Sequence, residues 1–169
     1  NIQATDVIIA NRKLYVDAEE GFIGWGIKKE DNYVADCSEI DDIVVFLEDG
    51  TLKVVKVANK VFVGKGIIYC NVWKKADERT IYNVIYQDGA KGHAMVKRFA
   101  VTGVTRDKDY QVTRGTAGSK VLYFSANPNG EAEVVNIQLK PIPGIKKFNF
   151  DYDFKLLTIK GRSSLGNIL

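Results

Sequence analysis

The run Asp42-Ile43-Val44-Val45-Phe46-Leu47, the turn Glu48-Asp49-Gly50 and the run Thr51-Leu52-Lys53-Val54-Val55-Lys56-Val57 decide how this chain folds. β-Branched side chains suit a pleated surface, and an Asp-Gly pair supplies the positive φ that a tight hairpin turn demands. The stretch reads as strand, turn, strand. The same pattern returns at Tyr82-Asn83-Val84-Ile85-Tyr86, the turn Asp88-Gly89 and Ala94-Met95-Val96-Lys97-Arg98-Phe99. A third copy is Lys120-Val121-Leu122-Tyr123-Phe124, the turn Asn127-Pro128-Asn129-Gly130 and Glu133-Val134-Val135-Asn136-Ile137. An earlier copy is Asp6-Val7-Ile8-Ile9 with Lys13-Leu14-Tyr15-Val16, and a late one opens at Phe154-Lys155-Leu156-Leu157-Thr158-Ile159. Strand starts near 6, 42, 82, 120 and 155 give spacings of 36, 40, 38 and 35 residues. Several strands per unit at such a period predict a bladed array. Period-two alternation puts Val44, Phe46, Val84, Tyr86, Leu122 and Phe124 between blades.

Composition agrees with an all-β fold. Val and Ile number 35 in 169 residues, against 9 Leu and 12 Ala, with 18 aromatics. Hydrophobic residues make up 46% and charged residues 27%, enough apolar material for a core in one domain spanning 1–169. No apolar run approaches the roughly 18 residues that cross a bilayer, so no membrane partner is expected. Two cysteines, Cys37 and Cys70, lack a second thiol at metal spacing and read as small buried hydrophobes in a reducing, cytoplasmic setting. The chain opens at Asn1, which reads as the start of a fragment of a longer subunit.

A second element runs out of phase with the hairpins. It is glycine-rich and leads into a strand: Gly21-Phe22-Ile23-Gly24-Trp25-Gly26, Gly64-Lys65-Gly66-Ile67, Arg114-Gly115-Thr116-Ala117-Gly118-Ser119-Lys120 and Lys160-Gly161-Arg162-Ser163-Ser164-Leu165-Gly166. Such turns make tight crossings between blades. In three of the four copies Lys or Arg stands beside the glycines, and their amides also suit phosphate contacts. Both readings stand at this level.

Charge divides the chain. Residues 1–50 carry a net −8 and residues 51–169 a net +11, so the later part is suited to a polyanion, solubilising surface charge being the alternative. Catalytic templates fail. His93 sits in a turn without a paired nucleophile; Gly115 to Lys120 breaks the phosphate-loop order; Gly21, Gly24 and Gly26 break the dinucleotide order. Asp151 and Asp153 flank Tyr152 in what reads as a turn, and the tyrosines read as packing residues.

The stretches DIVVFLEDGTLKVVKV, VKRFAVTGVTRDKDYQVTRG, YFSANPNGEAEVV and IKGRSSLGNIL closely resemble the C-terminal domain of the A subunit of bacterial type IIA topoisomerases, the topoisomerase IV of Bacteroidetes type before DNA gyrase. The resemblance covers essentially the whole chain. It implies a β-pinwheel of four-stranded blades that bends double-stranded DNA over a basic outer rim. It places the catalytic tyrosine in the N-terminal region of the same subunit. It places ATP hydrolysis, with ATP and Mg, in the full enzyme with the B subunit at the nucleoid, and no cofactor in this domain. A gyrase box of the form Gln-Arg-Arg-Gly-Gly-x-Gly is absent, which favours topoisomerase IV over a supercoiling wrapper. The period gives about four blades in an open array rather than gyrase's usual six. A protein-interaction propeller is the competing reading, but its Gly-His and Trp-Asp marks are missing.

Equivalent positions of successive units fall on one rim. The expected DNA contacts are therefore Lys91, Lys97, Arg98, Arg106, Lys108, Arg114 and Lys120, from a stretch of net +5. Lys65, Lys74 and Lys75 precede them, and Lys160 and Arg162 follow. Contacts spread over repeats address phosphates with little base preference. The acidic first 50 residues are expected to lie off this track, or to face the catalytic core of the parent subunit.

Overall fold

The computed structural model describes residues 11–27, 32–75, 77–138 and 149–169. Strands are numbered in chain order. β1 (Arg12–Asp17), β2 (Phe22–Gly24) and β3 (Tyr33–Cys37) join β6 (Val61–Phe62) in a sheet of order β3-β1-β2-β6. β4 (Asp42–Leu47), β5 (Thr51–Lys56) and β7 (Ile67–Trp73) join β10 (Tyr110–Gln111) as β10-β5-β4-β7. β8 (Ile81–Gln87), β9 (Ala94–Phe99) and β11 (Lys120–Asn127) join β14 (Asn167–Ile168) as β11-β8-β9-β14. β12 (Val134–Gln138) and β13 (Asn149–Asp153) form a two-stranded fourth sheet. The named strands of the described residues all pair antiparallel, and one isolated parallel bridge joins Phe99 to Lys160. The chain is an all-β open array of blades.

One rule builds the three complete blades. A hairpin forms, and a third strand folds back onto the hairpin's first strand. The fourth strand arrives only after the chain has built the next hairpin: β6 follows β4 and β5, β10 follows β8 and β9, and β14 follows β12 and β13. Each blade is therefore closed by its successor.

Packing explains why β4 and β8 read as almost unbroken apolar runs. Ile43, Val45 and Leu47 pack with Leu14, Ile23 and Cys37 of the first blade, while Val44 and Phe46 pack with Val84, Tyr86 and Phe99 of the third. A middle blade has no solvent face. The ring of Phe46 lies 5.0 Å from Tyr82 and 4.6 Å from Phe124. Burying each such side chain stabilises the fold by about 1.5–3 kcal/mol. The close approach that the glycine turns allow is real: Gly21 (φ 86°) lies where a Cβ would run into the Gly64 backbone.

Several sequence expectations shift. Lys120-Val121-Leu122-Tyr123-Phe124 does not pair with the strand after Asn127-Pro128-Asn129-Gly130. It is the third strand of blade three and pairs with β8, and the fourth hairpin begins at β12. The even spacing thus mixed first strands with third strands, although about four units remain. Leu122 is 54% exposed instead of buried, because the register shifts between Val121 and Tyr123. That irregularity puts Val121 and Phe124 on the core face and turns Leu122 out. Phe154 to Leu156 forms a 3-10 turn and not a strand, with Phe154 buried against Tyr123 and Tyr152. Asp151 and Asp153 lie in strand β13, and Asp153 caps that 3-10 turn. The Asp6-Val7-Ile8-Ile9 copy lies outside the described residues.

Phe46→Ala should cost about 3–5 kcal/mol in urea unfolding, as for a large aromatic removed from a closed core. Leu122→Ser should stay within about 0.5 kcal/mol. Equal losses would refute the shifted register.

Candidate functional site

The blades share a common frame. The hairpin turns 18–21, 48–50 and 88–93 lie at one end, tied by backbone bonds such as Gly66 N–H to Ala18 O and Val112 N–H to Gly50 O. The strands β4 and β8 start at the opposite end, the foot. One edge is formed by the third strands, where Tyr69 and Phe124 approach to 5.2 Å. The other edge is formed by the exchanged strands β6, β10 and β14.

The twelve cations picked from sequence separate in this frame. Lys65, Lys91, Arg114 and Lys120 are exposed at the turn end. Lys74 and Lys75 are exposed beyond the end of β7, at the foot. Arg106 and Lys108 lead into β10, and Lys160 and Arg162 precede β14, so these four belong to the exchanged edge. Lys97 and Arg98 are withdrawn from the surface: they are 1% and 7% exposed. They sit on the central strand β9, both of whose faces are covered, so a basic residue there must find its partners inside.

Lys97 Nζ donates to the carbonyls of Arg162 (2.6 Å) and Ser164 (2.9 Å). Burial, and then the charge of Arg162, push its ammonium down to about 8. Arg98 Nε donates to Asn83 Oδ1 (3.2 Å) and its Nη2 to the Gly130 carbonyl (2.8 Å). Asn83 in turn donates to Glu133 (2.9 Å), which also accepts from Tyr123 and Ser125. Burial raises the Glu133 carboxyl, but the hydrogen bonds from Asn83, Ser125, Tyr123 and Asn127 outweigh it and hold the group below its usual value. Arg98 is thus the centre of a polar bridge from blade three to the segment that enters blade four.

The acidic first 50 residues are not set apart from the basic ones. Asp41 pairs with Lys74 (3.2 Å), Asp42 with Arg106 (2.9 Å) and Glu48 with Lys120 (3.0 Å). Asp88 adds a pair with Arg114 at 3.5 Å. Antiparallel return of strands brings the starts and ends of distant segments together, which a count along the chain does not register. Of these four pairs Glu48–Lys120 is exposed on both sides, and such a pair contributes only about 0–1 kcal/mol.

The exchanged edge carries cations over aromatic rings. Lys60 lies 4.4 Å from the Phe22 ring, Lys108 5.3 Å from Tyr110 and Arg162 4.2 Å from the same Tyr110. Hydrogen bonding by Thr105 and then the charges of Lys108 and Arg162 hold the Tyr110 phenol below its ordinary value. Sequence reasoning missed Lys60. Its signal was legible: Lys60-Val61-Phe62 and Lys108-Asp109-Tyr110 both place Lys two positions before an aromatic on an exchanged strand.

Cys37 and Cys70 are buried and free, and burial raises the Cys70 thiol to about 12, which keeps it an inert packing group. Among the described residues no group of three or more His, Cys, Asp or Glu is placed to hold a metal, and no helix is long and apolar enough to cross a membrane.

A family model of the topoisomerase C-terminal domain of Bacteroidota matches residues 13–169. No curated protein and no solved structure matches the chain.

The depressed Lys97 group sets a pH dependence. Between about 8 and its unfolded value of 10.5 the unfolded chain holds more protons, so this group's contribution to stability rises with pH through that window and falls as pH drops back to 8. Unfolding free energies of the native chain and Lys97→Met, compared from pH 7.5 to 10.5, should diverge in favour of the native chain by up to about 3 kcal/mol. Parallel curves would mean that Lys97 is not held in this way.

Proposed function

The chain belongs to the topoisomerase C-terminal domain family of Bacteroidota, and from that premise we propose that it binds duplex DNA along the exchanged edge and bends it for strand passage by the rest of the enzyme. The observation that carries this reading is the recurrence of cations on the segments that lead into the exchanged strands of successive blades: Lys60 before β6, Arg106 and Lys108 before β10, and Lys160 and Arg162 before β14. No recognition helix stands among them, so phosphates are the ligand and base identity matters little. A duplex that follows successive blades has to curve. Bending 20–30 base pairs by 40–90° costs on the order of 1–6 kcal/mol, which several phosphate contacts offset.

The chemistry belongs elsewhere in this reading. The catalytic tyrosine lies in the N-terminal region of the subunit, and ATP and Mg act in the holoenzyme with the B subunit, in the cytoplasm at the nucleoid. The missing gyrase box supports relaxation and decatenation by a topoisomerase IV rather than wrapping for negative supercoiling.

Duplex affinity measured over several salt concentrations tests the reading. The logarithm of the binding constant should fall linearly with that of salt, by about 0.9 per phosphate neutralised. Lys60→Glu and Lys108→Glu should each weaken binding and flatten that slope by about 1. Lys91→Glu, at the turn end, should change neither by much. Binding insensitive to salt, or equal losses at all three positions, would count against the exchanged edge.

A further inference from the structure

A cleft of about 580 Å³ opens at the foot of blade three, within the described residues. One wall is Thr102, on the link from β9 to β10; the other is the crossing Lys160-Gly161-Arg162-Ser163 that leads to β14. The crossing is fixed at both ends. Lys160 N–H donates to the Arg98 carbonyl (2.9 Å), and Ser164 N–H closes a turn onto the Gly161 carbonyl (3.0 Å). Lys97 and Tyr86 take the carbonyls of Arg162, Ser164 and Leu165 from the sheet side. The amides of Gly161, Arg162 and Ser163 donate to no acceptor among the described residues. Three successive unpartnered N–H groups in a turn whose carbonyls are drawn the other way form an anion-binding concavity.

Charge points the same way. On the preceding blade Arg106 is neutralised by Asp42, the first residue of β4. The first residue of β8 is Ile81, and neither Lys160 nor Arg162 forms an ion pair among the described residues. Glu78 also lines the cleft but pairs with neither. The Nε of Arg162 is buried without a hydrogen-bond partner. Lys160, Gly161, Arg162, Ser163 and Thr102 all line the cleft with no carboxylate paired to the two cations, and the Arg162 guanidinium is held over the Tyr110 ring at 4.2 Å.

We propose that this cleft is a discrete phosphate-binding site, built by the backbone of the crossing and the side chains of Lys160 and Arg162, and that in the enzyme it grips one phosphodiester of the bound duplex. The last clause rests on the proposed DNA-binding reading; the site itself does not. It differs from the rest of the edge in kind. Elsewhere cations on flexible stems neutralise phosphates as point charges, whereas here fixed N–H groups define where the phosphate sits. The buried Lys97 is its positioning residue, because it holds the carbonyls of the turn away from the anion.

Gly161→Val separates a backbone site from general attraction. A Cβ at Gly161 meets no atom within 4 Å, so the variant has room to fold, while its branched side chain adds bulk at the turn at unchanged net charge. Amide resonances of residues 161–163 in the 169-residue chain are followed while inorganic pyrophosphate, or a 20-base-pair duplex, is added. Both ligands should shift these amides in the native chain, and the duplex should displace pyrophosphate. Gly161→Val should lose the shifts and bind the duplex roughly 10-fold more weakly, as expected for one charge-assisted contact. Arg162→Gln, which keeps the amides, should retain a weakened pyrophosphate response; it serves as the second variant if Gly161→Val melts early. Amide shifts with pyrophosphate but no duplex binding would uphold the site and overturn the DNA-binding reading, leaving a free phosphate compound as the ligand. Duplex binding with no response at 161–163, and Gly161→Val binding as the native chain does, would overturn the site and leave the exchanged edge standing.

Discussion

A sheet of four strands in this chain is never closed by its own repeat. The backbone N–H and C=O groups along β2, β5 and β9 stay unpaired on one side until β6, β10 and β14 arrive from beyond the next hairpin. Buried backbone groups need partners, so each blade depends on its successor for hydrogen bonds as well as for apolar cover. The constraint makes the array directional and ties long-range contacts into its stability. It also fixes where loops can run, because every exchanged strand must climb from the foot of one blade up the edge of the one before. The link 101–109 and the crossing 160–166 are those climbing segments, and they carry Arg106, Lys108, Lys160 and Arg162.

Two-sided burial follows from the same stacking. β9 has no solvent face, yet it carries Lys97 and Arg98 side by side on opposite faces of the sheet. Each is held by oxygen acceptors from a neighbouring chain segment: Lys97 by the crossing that precedes β14, Arg98 by Asn83 and the Gly130 carbonyl. Buried charges are tolerated only when so satisfied, and removing one partner strands the other. The pair therefore locks two exchanged or entering segments onto blade three, one from each side.

Surface electrostatics is built on a finer scale than net charge. The net −8 of residues 1–50 and the net +11 of residues 51–169 meet in the pairs Asp42–Arg106, Asp41–Lys74 and Glu48–Lys120. At the foot of blade three Ile81 takes the place that Asp42 holds in blade two, so the carboxylate that pairs with Arg106 has no counterpart at that strand position.

Alternation, Asp-Gly turns and the bias toward Val and Ile were enough to read the β class, the hairpins β4-β5 and β8-β9, and a count of about four units. Those signals are local: each depends on side chains a few residues apart. The cations at Arg106, Lys108, Lys160 and Arg162 were legible as a basic series, but not their shared edge. The partner of β11, the outward turn of Leu122, the burial of Lys97 and Arg98 and the exposure of the Gly161 amides were decided by tertiary structure. Strand identity looks the same whether a strand opens a hairpin or returns to one, and a one-residue irregularity reverses the faces without leaving a mark in composition. A lysine on a strand reads as surface until a second sheet covers that face. Only the stacking of blades, which joins residues 60 or more positions apart, determines which charge meets solvent and which meets a carbonyl.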